Sequence, residues 1–203
     1  MLRLSVLTLL IQKGSGCVHN LNPMSPLGSR ELISKEVGPY TVSEVTAYSL
    51  ASYSLRKGSE NDAKKKLEQF IGSSLPDVMN SNFGDISSFW IGPSQWLIEA
   101  PIEIHEDLAS KLSKVSMGKA SITEQTDAWC RFDLKGSELA TPLSLLCNVD
   151  VPSLKGGEVT RCQMDHLGCF LICRDRKNIT ILGPRSAADS LYQAIIEALK
   201  AVV

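Results

Sequence analysis

Two short apolar runs on either side of a tight turn constrain the fold of this chain more than any other stretch. The runs cover residues 89–91 and 95–100, and the residues between them are Gly-Pro-Ser at 92–94. Glycine allows unusual backbone angles and proline presets its own φ, so this composition favours a turn. Trp90 and Trp96, two of the three tryptophans, flank the turn. Each tryptophan buries a large area, and the stretch therefore predicts a β-hairpin in a domain core.

The composition narrows the classes of function. A chain of 203 residues, 43% of them hydrophobic, can bury the core of one domain or of two small ones. Its net charge is −1, and the charges are spread without the basic stripe that nucleic-acid binding requires. The run Lys64, Lys65 and Lys66 lies opposite the apolar face of a predicted helix and is interpreted as solvated. No nucleic-acid partner is therefore expected. No membrane partner is expected either, because the apolar run near the N-terminus is far too short to cross a bilayer and no other segment is apolar for long enough.

The N-terminal region predicts an arm. Glycine and proline recur without a sustained period up to residue 43, so residues 1–43 are expected to be disordered or bound to a partner. Residues 1–17 have some features of a bacterial secretory or lipoprotein signal, but Lys13 and Gly14 do not fit its cleavage region. A true start, a signal and a disordered start all remain open.

Six cysteines in a chain of this length are too sparse for a disulfide scaffold, and none forms a Cys-x-x-Cys pair. The reducing cytoplasm is therefore the expected location. Cys169 and Cys173 lie on one face of a predicted strand, where buried and unreactive thiols are expected.

The spacing of apolar residues and turn residues predicts an α+β domain over residues 44–203, with two ferredoxin-like lobes and antiparallel sheets. The first lobe, about 44–127, has the order β-α-β-β-α-β of the split βαβ arrangement. The second, about 128–203, has the order β-α-β-β-β-α. The predicted strands are 44–56, 89–91, 95–100, 120–127, 128–134, 158–167, 169–174 and 178–182. Two helices are predicted at 60–71 and 138–147. Two more are predicted where apolar residues recur at helical spacing, from Ile104 to Val115 and from Leu191 to Leu199.

No catalytic constellation is evident in the sequence. His19, His105 and His166 lack a second ligand at metal-binding spacing, and the nucleophile-elbow, Walker and dinucleotide-binding motifs are missing. The remaining candidates for acid–base chemistry are four carboxylates near the lobe junction, which caps, turns and surface pairs explain equally well: Glu99, Asp127, Asp133 and Asp150. No catalytic, cofactor-binding or metal-binding residue is therefore predicted on this chain.

Several segments resemble one family in order and spacing. The hairpin Trp-Ile-Gly-Pro-Ser-Gln-Trp-Leu-Ile at 90–98 resembles the Trp-Leu-Gly-Pro-Asp-Glu-Trp-Leu hairpin of the gamma subunit of heterotetrameric sarcosine oxidase. The helix start Pro-Arg-Ser-Ala-Ala at 184–188 is similar to that family's Pro-Arg-Ser-Phe-Ala. Looser matches lie at 126–136, 146–151 and 162–174, and the resemblance covers about residues 26–200. The family's pattern is not kept at Met164, Asp165, Gly168 and Cys173.

The resemblance implies a non-catalytic structural subunit with a fold similar to the folate-binding domain of glycine-cleavage aminomethyltransferase. It implies direct contact with the alpha subunit, in a complex that also has beta and delta subunits. FAD, FMN, NAD, zinc and tetrahydrofolate would then belong to the partner chains. Two alternatives remain open: the equivalent subunit of N-methylglutamate dehydrogenase, and a stand-alone folate-binding or aminomethyltransferase-like protein.

Overall fold

The computed structural model describes residues 24–203, and the expectations for residues 1–23 lie outside this range. Eleven strands and five α-helices are present in the described part. The strands are β1 Ser34–Val37, β2 Tyr40–Glu44, β3 Tyr48–Leu55, β4 Ser81–Asn82, β5 Ser87–Gly92, β6 Gln95–Pro101, β7 Ala120–Glu124, β8 Trp129–Lys135, β9 Val159–Met164, β10 Leu167–Asp175 and β11 Asn178–Pro184. The helices are α1 Glu60–Ile71, α2 Ile102–His105, α3 Leu108–Ser116, α4 Ala140–Ser144 and α5 Ala188–Lys200.

The first lobe is a five-stranded sheet with the order β4-β5-β6-β3-β7, in which all neighbours are antiparallel. Without the short β4, this is the strand order of the split βαβ arrangement that the sequence predicts. Helix α1 ends at Gly72, whose φ of 74° is the left-handed geometry of a glycine stop. Leu67 of α1 and Leu112 of α3 are fully buried against this sheet.

Two predicted helices are shorter in the structure. The segment after Pro101 is divided into α2 and α3, and Ile104 is 68% exposed because α2 is a single turn that leaves it outside the core. The predicted helix 138–147 is reduced to α4. After α4 the chain continues in tight turns, in which the Leu145 and Leu146 amides donate to carbonyls only three residues back.

The second lobe is a six-stranded antiparallel sheet with the order β1-β2-β8-β11-β10-β9. The meander β9-β10-β11 ends beside β8, and α4 and α5 cover one face, where Leu191 and Ile195 are fully buried. Strands β1 and β2 correct the predicted boundary of the arm at residue 43. Residues 34–44 form a hairpin with its turn at Gly38 (φ 55°), and the buried Tyr40 and Val42 fix β2 beside β8.

The two sheets pack face to face, so that the molecule has four layers with helices on both outer sides. Leu50, Phe89 and Leu97 of the five-stranded sheet contact Phe170 and Leu182 of the six-stranded sheet in one buried cluster. The predicted hairpin is confirmed as β5 and β6, and its side chains contribute to the apolar clusters on both faces of the five-stranded sheet.

The two hairpin tryptophans are not equally buried. Trp96 is 7% exposed, and its indole nitrogen donates to the Pro76 carbonyl at 3.1 Å. Its cross-strand partner Trp90 is half-buried. None of the helices between residues 24 and 203 is long and apolar enough to cross a membrane.

Candidate functional site

A buried ionic network joins the facing surfaces of the two sheets. Arg131, on β8, is 9% exposed. Its Nη1 donates to Glu99 Oε2 of β6 at 2.7 Å, across the space between the sheets. Its Nε and Nη2 donate to both carboxylate oxygens of Asp133 at 2.9 Å. Arg131 and Asp133 are two residues apart on one strand and therefore share a face, which allows this bidentate pair.

A second arginine closes the network from β10. Arg174 Nη2 donates to the other oxygen of Glu99 at 2.9 Å, and Arg174 Nε donates to the hydroxyl of Thr180 at 3.1 Å. That hydroxyl donates to Asp133 at 2.7 Å. Glu99, which is 2% exposed, is thus held by two guanidinium groups of the opposite sheet.

Aromatic rings cover the arginines where no carboxylate does. The guanidinium carbon of Arg131 lies 4.5 Å from the ring centre of Tyr48, and that of Arg174 lies 4.5 Å from Phe83 and 5.3 Å from Phe89. A planar guanidinium can stack on a ring and donate in its own plane at the same time. The rings therefore exclude water from the network without competing for its hydrogen bonds.

The network is electrically balanced, since two carboxylates face two guanidinium groups. Burial by itself would raise the pKa of Asp133, but the hydrogen bonds and charge of Arg131, with the Thr180 hydroxyl and Arg174, keep it below its ordinary value. Burial would lower the pKa of Arg131, and its carboxylate partners outweigh this effect and raise it. Asp133 thus remains ionised and acts as an ion-pair partner, whereas proton transfer at neutral pH would need a carboxyl with a raised pKa.

A cavity of about 320 Å³ lies beside the network, between the sheets. Tyr48, Leu50 and Trp129 supply apolar and aromatic wall, while Glu99 and Arg131 form its charged end. This combination can hold a small, partly aromatic organic molecule with a polar group.

Residues 24–33 lie over the opening of this cavity, without helix or strand. The buried carboxylate of Glu44 accepts from the amides of Leu27 at 3.0 Å and Ile33 at 3.4 Å. Arg185 donates to the carbonyl of Met24 at 3.0 Å. The segment thus forms part of the cavity wall, through Met24, Ser25, Pro26, Arg30 and Leu32.

The structure separates the four carboxylates that the sequence indicates. Glu99 and Asp133 meet at Arg131, but Asp127 is at the cavity edge, 3.4 Å from Arg185 in an exposed ion pair. Asp150 is exposed and precedes a short 3₁₀ turn.

The histidines do not join this site. His105 packs edge-on against Phe70 with the ring centres 6.2 Å apart, and His166 lies in the turn between β9 and β10. Between residues 24 and 203 no group of three or more His, Cys, Asp or Glu side chains is arranged to hold a metal ion. His19 lies outside the described residues.

The arginines are the residues that the sequence interpretation missed. An alternating strand such as β8 normally has one apolar and one solvated face, so its pattern gives no indication that Arg131 is buried. The available signal was a pair of arginines, Arg131 and Arg174, in two predicted strands of the same lobe, with the carboxylate of Asp133 two residues after Arg131.

This chain is similar in fold to proteins of known structure. A scan against protein-family models finds no match, and a search of curated proteins finds none either. Among solved structures, a chain of the heterotetrameric sarcosine oxidase from Corynebacterium sp. U-96, in complex with pyrrole 2-carboxylate, matches 80% of this chain and 84% of its own length. Its TM-score is 0.72 and the identity is 17%.

A second solved structure extends the comparison. The glycine cleavage system aminomethyltransferase T from Bartonella henselae matches 75% of this chain with a TM-score of 0.55 and 12% identity. This chain covers 44% of the length of that protein. This chain is therefore an α+β protein with two antiparallel sheets. Its fold is the folate-binding-like fold common to these two proteins. Of these two proteins, the sarcosine oxidase chain is similar to this chain in both fold and length.

Replacing Arg131 by methionine should destabilise the fold by about 3–5 kcal/mol, because Glu99 loses one of its two partners and Asp133 loses its bidentate partner while both stay buried. Chemical denaturation of both proteins measures the change. Lys64→Met is the matched control, since it removes the exposed ion pair of Lys64 with Glu68 and should cost less than about 0.5 kcal/mol. Equal losses in the two variants would contradict a structural role for the network.

Stability should fall in acid through Asp133. Its pKa is lower in the folded than in the unfolded chain, so its contribution is fully present above the unfolded value and is lost as pH falls through the folded value. We expect the difference in unfolding free energy between wild type and Asp133→Asn to narrow between about pH 5 and about pH 2. Urea titrations at several pH values measure it, and a difference that does not change with pH would exclude this linkage.

Proposed function

We propose that this chain is the non-catalytic, structural gamma subunit of a heterotetrameric sarcosine oxidase complex. The observation that carries the proposal is the match to a chain of such an enzyme over 80% of this chain and 84% of the other. A match of this extent in both directions fits a subunit of similar size, whereas the aminomethyltransferase is more than twice as long as the matched region. The hairpin at 90–98 and the helix start at 184–188 support the same family.

The buried network fits a structural subunit. Each of its carboxylates is hydrogen-bonded to a guanidinium group, and the network joins the two sheets. Glu99 and Arg131, which also line the adjoining cavity, are already paired with each other. In the proposed assembly this chain contacts the alpha subunit directly, with beta and delta subunits in the same complex. The partner chains hold FAD, FMN, NAD, zinc and tetrahydrofolate, and the complex is cytoplasmic.

The reaction of the complex would convert sarcosine, oxygen and tetrahydrofolate into glycine, hydrogen peroxide and methylene-tetrahydrofolate. On this proposal the chemistry takes place on the other subunits. The chain described here supplies a rigid docking body, because its two sheets are fixed to each other by buried ion pairs.

Purification of the tagged chain from its own cells should recover three partner chains in fixed ratio, with a flavin absorbance that sarcosine bleaches. The flavin signal matters because co-purification of an unidentified protein would not identify the complex. A lone monomer with no flavin would contradict the proposal. Bleaching by N-methylglutamate and not by sarcosine would instead assign the chain to N-methylglutamate dehydrogenase.

The cavity beside Arg131 favours a second candidate, a folate-binding protein that acts alone. Its wall of Tyr48, Leu50 and Trp129 suits a flat ring, and Arg30 and Arg185 at its edge suit a carboxylate. Calorimetric titration of the isolated chain with tetrahydrofolate tests this candidate. Heat that Trp129→Ala removes would support it, with Trp90→Ala, outside the cavity, as the matched control. No heat at millimolar ligand would exclude it.

A further inference from the structure

A second cavity lies on the other side of the six-stranded sheet. It is an open cleft of about 900 Å³ between the chain that follows α4 and the β9–β10 hairpin. Cys147 and Cys162 both line it. The Asp165 amide donates to the Leu146 carbonyl at 3.4 Å, which holds the segment with Cys147 against the hairpin with Cys162.

The two thiols differ in accessibility. Cys162 points to the helix-covered face of the sheet and is 9% exposed, while Cys147 is half-buried and packs against the same apolar cluster from the edge of the cleft. Cys169 lies directly opposite Cys162 in the β9–β10 register and is fully buried. A small oxidant in the cleft would thus meet Cys147 before the thiols behind it.

The thiols also differ in acidity. Interaction with the Cys162 thiol is the largest influence on Cys147 and, with the Val149 amide and against the effect of burial, lowers its pKa to about 7. The same interaction, with burial, raises the pKa of Cys162. Burial raises the pKa of Cys169 to about 12.

Other polar groups also line the cleft or contact Cys147. Arg161, Asp165 and His166 are the charged or titratable residues at the cleft besides the two cysteines. The Leu143 carbonyl lies 3.5 Å from Cys147 Sγ, where it can accept from the protonated thiol. The Cys162 thiol and the Val149 amide outweigh the effect of burial, so the pKa of Cys147 lies below its ordinary value and its thiolate form is favoured.

We propose that Cys147 and Cys162 form a reversible dithiol–disulfide pair that is oxidised by peroxides entering this cleft. The proposal rests on the shared cleft, the backbone contact that holds the two segments together and the difference in exposure of the two thiols. It does not depend on the proposed function.

The oxidation balances in two steps. The Cys147 thiolate attacks one peroxide oxygen, an S–O bond forms as the O–O bond breaks, and the other oxygen leaves as water after it takes a proton. Cys162 sulfur then attacks the sulfenic sulfur of Cys147, an S–S bond forms as the S–O bond breaks, and the departing oxygen leaves as water with the Cys162 proton. Two thiols and one hydrogen peroxide thus give one disulfide and two waters. Two equivalents of an external thiol then reduce this disulfide back to two thiols by exchange and are themselves oxidised to a disulfide.

Hydrogen peroxide applied to the full chain near neutral pH tests the proposal. Non-reducing peptide mapping should show Cys147 linked to Cys162, and dithiothreitol should remove the link. In Cys162→Ser, dimedone should capture sulfenic acid at Cys147. Cys169→Ser is the matched control because it removes a buried neighbour of Cys162, and the Cys147–Cys162 link should still form.

Alkylation supplies a readout that does not require the disulfide. In the native chain near pH 7, iodoacetamide should modify Cys147 on the order of 10²–10³-fold faster than Cys169. The thiolate fraction of Cys147 is much larger, and the lower nucleophilicity of the more acidic thiol offsets only part of this advantage. Cys162→Ala should shift the pH midpoint of Cys147 alkylation upward because the thiol that lowers the Cys147 pKa is gone. A Cys162–Cys169 link, only intermolecular links, or an unchanged alkylation midpoint would each overturn the proposal.

Discussion

The guanidinium group of Arg131 is the contact on which the arrangement of the two sheets depends. It is buried between a carboxylate of its own strand and a carboxylate of the opposite sheet. A buried charge is costly unless it is paired and hydrogen-bonded. Both arginines that pair with the Glu99 carboxylate belong to the facing sheet. The sheets therefore cannot slide or separate without exposing unpaired charge. The adjoining apolar cluster of Phe89, Leu97 and Phe170 adds attraction, but it tolerates displacement more easily because its contacts have no fixed geometry.

The elements that the sequence predicts correctly are those set by residues close together along the chain. Helix α1 matches its predicted bounds because an apolar stripe ends at Gly72, where a left-handed angle is needed. The hairpin of β5 and β6 is predicted because its turn residues lie between two β-forming runs. Strands β1 and β2 are missed for the opposite reason: their place is set by pairing of β2 with β8, far along the chain, and Gly38 and Pro39 suggest an irregular arm when they in fact form a hairpin turn.

The contacts within the candidate site are also not predictable from the sequence. Glu99 and Asp133 are named from the sequence as carboxylates near the lobe junction, but nothing in their spacing indicates that one arginine joins them. An alternating strand normally has one solvent-facing side, so the pattern of β8 does not indicate that Arg131 is buried. Both faces of β8 are covered here, one by helices and one by the other sheet. In such a four-layer fold a charged residue of an alternating strand can lie between the sheets. The alternation alone does not distinguish this position from a solvent-facing one.

The two faces of the six-stranded sheet therefore have separate chemistry. Arg174 on β10 faces the other sheet and takes part in the ionic network, whereas Cys169 on the same strand faces the helices. The cleft with Cys147 opens at the edge of that helical face, next to the turns after α4. A disulfide there would tie those turns to the β9–β10 hairpin and leave the ion pairs between the sheets intact. Because a strand alternates its side chains, one sheet can hold a fixed connection on one face and a redox-dependent one on the other.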